Sequence, residues 1–79
     1  MQRICADLRR LDSELAQLLV SDPRTPALFH RLQAVSWAYD GALRDACSAL
    51  GVPAPDHAPF GQTERLRTEA ELTAAGLRW

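Results

Sequence analysis

The chain has 79 residues, a formal net charge of -1 and 47% hydrophobic side chains. This length allows one domain at most, and the hydrophobic fraction excludes a chain that is disordered by composition. The near-neutral charge supplies no excess of cations for phosphate contacts, so nucleic-acid binding is not expected as the main function. All nine cationic side chains are arginines, and this usage favours a GC-rich bacterial genome.

The N-terminal sequence MQRICADLRR is charged by residue 3 and lacks the apolar segment of a signal peptide. No apolar run approaches the length of a membrane-spanning helix. We therefore expect a cytoplasmic protein that does not enter a membrane, with Cys5 and Cys47 as reduced thiols.

The first predicted element is an amphipathic helix over residues 2–20. Its apolar side chains recur at alternating spacings and form a heptad seam of Ile4, Leu8, Leu11, Leu15 and Leu18. Leu19 is expected to widen this seam. The sequence SDPRTP then ends the helix, because proline lacks the amide hydrogen and restricts the residue before it.

A second helix is predicted over residues 26–50, with Thr25 as N-cap, Pro26 as first helical residue and Gly51 as C-cap. The short connection predicts an antiparallel hairpin with the first helix. The face expected to meet the heptad seam comprises Leu28, Leu32, Val35, Tyr39, Leu43, Ala46 and Leu50.

A proline-rich linker is predicted over residues 52–62 and a third helix over residues 63–75, with Thr63 as N-cap. Gly76 and Leu77 resemble a Schellman ending. The main apolar face of this helix comprises Leu66, Ala70, Thr73 and Leu77, and a weaker stripe comprises Leu72, Ala75 and Trp79. The linker is long enough for the third helix to pack on its own hairpin or on a second subunit.

The predicted fold class is therefore all-α: an antiparallel helical hairpin plus a third helix, forming a three-helix bundle or a dimeric helical bundle. Residues 1–79 are predicted to form a single helical domain. The sequence contains no strand signal, internal repeat or second domain.

The sequence lacks the residue spacing of a metal or catalytic site. The possible ligands Cys5, Cys47, His30 and His57 form no C-x-x-C or H-x-x-x-H pattern, and no serine has an evident base beside it. We expect no enzymatic activity, no cofactor and no metal. The two cysteines lie near the same end of the predicted hairpin, so a disulfide or metal site stays open as an alternative to two half-buried core thiols.

Trp37 points about 150° away from the core-facing direction of the second helix. A glycine inside a helix, here Gly41, costs about 1 kcal/mol relative to alanine and is tolerated more readily where another backbone comes close. The second helix is therefore predicted to have a second packing face. The candidate interface comprises Trp37, His30, Ala34, Ala38, Gly41 and Arg44, joined by Leu72 and Trp79.

Three partners could cover this face: the third helix of the same chain, a second copy of the chain, or a different protein. We interpret the chain as a small non-catalytic interaction or accessory protein that self-associates through the second helix as a homodimer. One alternative is a small DNA-associated regulator that uses Arg3, Arg9, Arg10, Arg65 and Arg67. A weaker alternative is a thiol- or metal-dependent protein that uses Cys5 and Cys47.

Overall fold

The computed structural model describes residues 1–57 and 59–79, and this part of the chain contains three α-helices and no strand. The helices are α1 (Gln2–Leu19), α2 (Leu28–Leu50) and α3 (Gln62–Ala74). The prediction of an all-α fold is confirmed, and the predicted helix bounds agree with the structure to within two residues. No helix of the described residues is long and apolar enough to cross a membrane.

The core lies between α1 and α2, as the heptad seam predicts, and α3 completes it. Its buried members are Leu8, Leu11, Tyr39, Leu43, Ala46, Cys47, Phe60, Leu72 and Leu77. Ile4, Leu15 and Val35 pack partly buried against these residues. The prediction for Leu19 is wrong, because its side chain is 73% exposed at the end of α1. Leu50, at the other end of the hairpin, is also partly outside the core, at 39% exposure.

The start of α2 differs from the prediction of a Thr25 N-cap. The backbone N–H of Thr25 donates to the carbonyl of Asp22 (2.9 Å), and its carbonyl accepts from the N–H of Leu28 (3.2 Å). Thr25 therefore belongs to a turn, and Pro26 is not helical. The N-cap is Ala27, which has a left-handed backbone with a φ of 60°.

The end of α2 confirms the predicted C-cap glycine. Gly51 has a φ of 70°, a conformation that glycine adopts without the penalty of a Cβ atom. The N–H of Val52 returns to the carbonyl of Cys47 at 2.9 Å. This bond satisfies a terminal carbonyl of the helix and turns the chain into the linker.

The N-cap of α3 is Gly61, so the prediction of Thr63 is two residues too late. Glu64 reaches back to accept the N–H of Gly61 (2.8 Å), as the third residue of a capping box does. The predicted Schellman ending is confirmed. The N–H of Leu77 donates to Leu72 and that of Gly76 donates to Thr73, each at 3.0 Å.

The buried face of α3 is not the predicted one. Leu66 is 60% exposed, whereas Leu72 is fully buried and Thr68 is nearly so. Ala70 and Thr73 are also exposed, and only Leu77 of the predicted main face is buried. The helix rotates this way because Arg65 and Glu69, on the side of Leu72, make polar contacts with α2.

Candidate interaction surface

The third helix, α3, lies along only part of the hairpin that α1 and α2 form. At 1.5 Å per residue α2 is about 35 Å long and α3 about 20 Å. The side-chain hydrogen bonds between α2 and α3 involve Tyr39 and Asp40 of α2. Phe29 lies eleven residues before Asp40, and therefore on the same side of α2, yet it is 73% exposed. The part of α2 that precedes Tyr39 therefore has an open side.

An exposed apolar surface covers this open side, and we call it the Trp37 face. It is defined by residues that line adjoining hollows: Phe29, His30, Leu32, Gln33, Ala34, Ser36, Trp37 and Pro59. One open hollow of about 330 Å³ lies between Phe29, Leu32, Trp37 and Pro59. Trp37 is 51% exposed, so half of the largest side chain of α2 remains uncovered. None of these eight described residues is Asp, Glu, Lys or Arg.

The structure separates the residues predicted for the interface. Those of α2 lie at or near the Trp37 face or at a second hollow, and Leu72 and Trp79 pack in or against the core. His30, Ala34 and Trp37 share the Trp37 face, and Ala38 is exposed nearby on α2. Gly41 and Arg44 instead border a polar hollow whose other wall is the linker of the same chain.

The prediction that Leu72 belongs to the interface is wrong, because this side chain is fully buried in the core of its own chain. Trp79 likewise packs, partly buried, against the core. Of the weaker stripe, Leu72 therefore lies in the core and Trp79 packs against it, whereas Ala75 is exposed. The third helix does not cover Trp37, although this was one of the three arrangements left open by the sequence.

A buried ion pair beside the Trp37 face was missed by the sequence reasoning. Asp40 is fully buried, and its Oδ1 accepts a hydrogen bond from Nε of Arg65 at 2.7 Å. Its Oδ2 accepts from Nη2 of Arg65 and from the backbone N–H of Phe60, both at 2.9 Å. These bonds connect α2, the linker and α3 at one carboxylate. The hydrogen bonds that Arg65 donates to Asp40 also raise the pKa of Arg65, which stays protonated.

A second polar contact links the same helices. The hydroxyl of Tyr39, a residue with a fully buried side chain, donates a hydrogen bond to the carboxylate of Glu69. Burial raises the pKa of Tyr39 well above its ordinary value, and the bond to Glu69 raises it further. In the described part of the chain every buried side-chain N or O atom has a hydrogen-bond partner. The arrangement therefore fixes the position of α3 and the linker on α2.

One signal in the sequence could have indicated this network. Asp40 follows the core residue Tyr39 and precedes the core residue Leu43 by three positions, so it lies near the core side of α2. A carboxylate in that position needs a donor from another element, and a buried charge is retained only when it is paired. The sequence does not indicate which arginine supplies the donor.

The histidines and thiols form no further cluster. Cys5 is half-buried and Cys47 is buried, and both are free thiols. Burial raises the pKa of Cys47 and makes its thiolate less accessible. Nε2 of His57 lies 3.8 Å from a carboxylate oxygen of Glu64 at an exposed position. Among residues 1–57 and 59–79 no group of three or more His, Cys, Asp or Glu side chains is placed to hold a metal ion.

Comparisons with models of known families, with curated proteins and with solved structures give no match for this chain. The Trp37 face and the contacts around it are therefore the basis for a functional proposal.

Proposed function

We propose that this chain is a small non-catalytic interaction protein that pairs with a second copy of itself through the Trp37 face. The observation that carries the proposal is the exposure of two aromatic side chains on one open side of α2, Phe29 at 73% and Trp37 at 51%. An exposed contiguous apolar patch on a small protein commonly marks an interaction site. Tryptophan is also one of the residues enriched among the hot spots that dominate the binding energy at such sites.

The absence of fixed charge on the face favours a second copy as the partner. In a twofold dimer the same patch is used on both chains, so a charge near the twofold axis meets the same charge on the other copy. Phe29, Leu32, Trp37 and Pro59 are apolar, and the polar residues at the edge are His30, Gln33 and Ser36. Two copies can therefore meet without repulsion between carboxylates or guanidinium groups.

The size of the face predicts a reversible dimer. Each exposed aromatic side chain contributes roughly 100 Å² or more of apolar surface. A stable interface commonly buries about 800 Å² on each partner, which is more than the apolar part of this face supplies. We therefore expect a monomer–dimer equilibrium in the micromolar range, in which the polar edge residues complete the contact.

Sedimentation equilibrium from micromolar to millimolar concentrations tests the proposal. We expect Trp37→Ala and Phe29→Ala each to weaken the dimer by about 30-fold, the effect of removing a hot-spot residue. Leu66→Ala is the matched control, because Leu66 is a large apolar residue with 60% exposure on α3, outside the face. A wild-type chain that stays monomeric throughout this range would refute the proposal. So would equal effects of the three substitutions.

The alternative functions remain predictions from the sequence. A DNA-associated regulator requires a salt-dependent mobility shift with duplex DNA. A thiol- or metal-dependent protein requires stoichiometric zinc that is lost on Cys5→Ser, or a thiol with an unusually low pKa.

A further inference from the structure

The Trp37 face includes a residue from outside α2, and this residue is held in place by the buried ion pair. Pro59 of the linker forms one wall of the hollow between Phe29 and Trp37. The next residue, Phe60, is only 6% exposed, and its N–H donates to Oδ2 of Asp40 at 2.9 Å. The wall formed by Pro59 is therefore anchored one residue away, at a carboxylate inside the protein.

The same carboxylate holds α3. Arg65 makes two hydrogen bonds to Asp40, so this one buried carboxylate contacts both the linker and α3. We call the segment of residues 59–77 the arm. Only Thr68 and Leu72 are buried within α3, and Phe60 and Leu77 are buried at its two ends. An element with so few buried side chains opens locally at a lower free energy than the hairpin unfolds.

We propose that docking of the arm and occupation of the Trp37 face are coupled, with Asp40 and Arg65 as positioning residues for the dimer contact. When the arm is docked, Pro59 completes the face, and when the arm opens, this wall is lost. The inference rests on the proposed self-association and adds a dependence on residues that do not themselves line the face.

Coupling of this kind is reciprocal. If docking of the arm strengthens the dimer by a given factor, dimer formation must stabilise the docked arm by the same factor. The coupling can therefore be detected in the wild-type protein, as a change in the protection of α3 when the dimer forms. Amides of α3 should be better protected from hydrogen exchange in the dimer than in the monomer, although α3 does not line the Trp37 face.

Hydrogen exchange at two protein concentrations tests this expectation without any change to the arm. We expect exchange from residues 66–77 to be about 10-fold slower when the protein is mostly dimeric than when it is mostly monomeric. At the same two concentrations this dependence should be smaller in Trp37→Ala, whose dimer is expected to be about 30-fold weaker. A wild-type dimer whose α3 amides exchange at the same rate as those of the monomer would overturn the inference and leave the proposed self-association intact.

A pair of arginine variants tests the positioning role directly. Arg65→Gln removes the charge that pairs with Asp40, and we expect it to weaken the dimer by about 10-fold. Arg67→Gln is the matched control, because Arg67 is an exposed arginine on the same helix that makes no hydrogen bond to Asp40, and its dimer should be unchanged. Equal dimer affinities for Arg65→Gln and wild type would contradict the inference. A monomeric wild-type protein would refute both the proposed function and the coupling.

Discussion

Asp40 and Arg65 meet through two parallel hydrogen bonds, at 2.7 and 2.9 Å, although they are 25 residues apart in the chain. The carboxylate is fully buried, and the Arg65 side chain is 25% exposed. Burying a carboxylate is unfavourable unless its oxygens are hydrogen-bonded, and here three donors from the linker and α3 satisfy them. The pair therefore specifies where the arm docks, because another position of α3 would leave this charge unpaired.

Removing the charge of Asp40 should destabilise the fold. We expect Asp40→Asn to lower the free energy of unfolding by about 3 kcal/mol, because the amide presents one oxygen where the carboxylate presents two and leaves the charge of Arg65 unpaired. Urea denaturation measures the loss. Asp45→Asn, at an exposed position of the same helix, should change stability by less than about 0.5 kcal/mol. Equal effects at the two positions would mean that the pair does not hold the arm.

The orientation of α3 predicts very different effects for two leucines six residues apart. Leu72→Ala should cost about 3 kcal/mol, since it removes a fully buried side chain and leaves a cavity. Leu66→Ala should change the free energy of unfolding by less than about 0.5 kcal/mol, because Leu66 is 60% exposed. The same urea titration compares them. A larger effect at Leu66 would show that the face predicted from the sequence is the buried one.

The elements that the sequence predicts well are those that depend on local interactions. The heptad seam of α1, the C-cap at Gly51 and the Schellman ending at Gly76 each follow from spacing or from the need for a left-handed residue. The structure confirms all three. The prediction of Thr25 as N-cap of α2 is wrong. The backbone N–H groups of Arg24 and Thr25 donate to Asp22, and these bonds place Thr25 in a turn before the helix.

The position of α3 could not be predicted in the same way. Its apolar pattern is weak, so its orientation is decided by Arg65 and Glu69, whose partners Asp40 and Tyr39 lie in another helix. Such pairs form only where the linker brings α3 back beside α2. The path of the linker does not follow from its local sequence. Trp37 could be predicted to face away from the core, since this follows from the helical period. The contribution of Pro59 to the same face could not.

Gly41 offers a test of whether a second backbone approaches α2. Among residues 1–57 and 59–79 a Cβ atom built at this position would meet nothing within 4 Å, so no contact within this part of the chain requires a glycine here. We expect Gly41→Ala to raise the free energy of unfolding of the monomer by up to about 1 kcal/mol, the difference in helix propensity. Gly51→Ala should instead destabilise by about 1 kcal/mol, because Gly51 has a φ of 70°.

The effect of Gly41→Ala on the dimer is a separate measurement. If a second backbone approaches Gly41, the added methyl group should weaken dimerisation while it stabilises the monomer. Sedimentation equilibrium of the variant and of the wild type distinguishes two cases. A weaker dimer would show that a second backbone approaches Gly41. An unchanged dimer affinity would show that the dimer uses only the Trp37 face.

Tyr39 predicts a specific dependence of stability on alkaline pH. Burial and the bond to Glu69 raise the pKa of its hydroxyl, so the native state holds this proton more tightly than the unfolded state does. Its contribution to stability is fully present below the unfolded-state pKa of about 10 and is lost as the pH rises above that value. Tyr39→Phe removes both the bond and the titrating group.

At neutral pH Tyr39→Phe should be less stable than wild type by about 1 kcal/mol, the net value of a hydrogen bond, or somewhat more because Glu69 loses its donor. Above about pH 10 the difference should shrink, since only the wild-type protein loses the contribution of Tyr39. Urea titrations of both proteins at several pH values measure this difference, and the raised pKa of Cys47 affects both in the same way. Tyr39 is the single tyrosine of the chain, so ultraviolet absorbance reports its ionisation directly. A phenol that titrates near pH 10 in the folded protein would contradict the buried contact with Glu69.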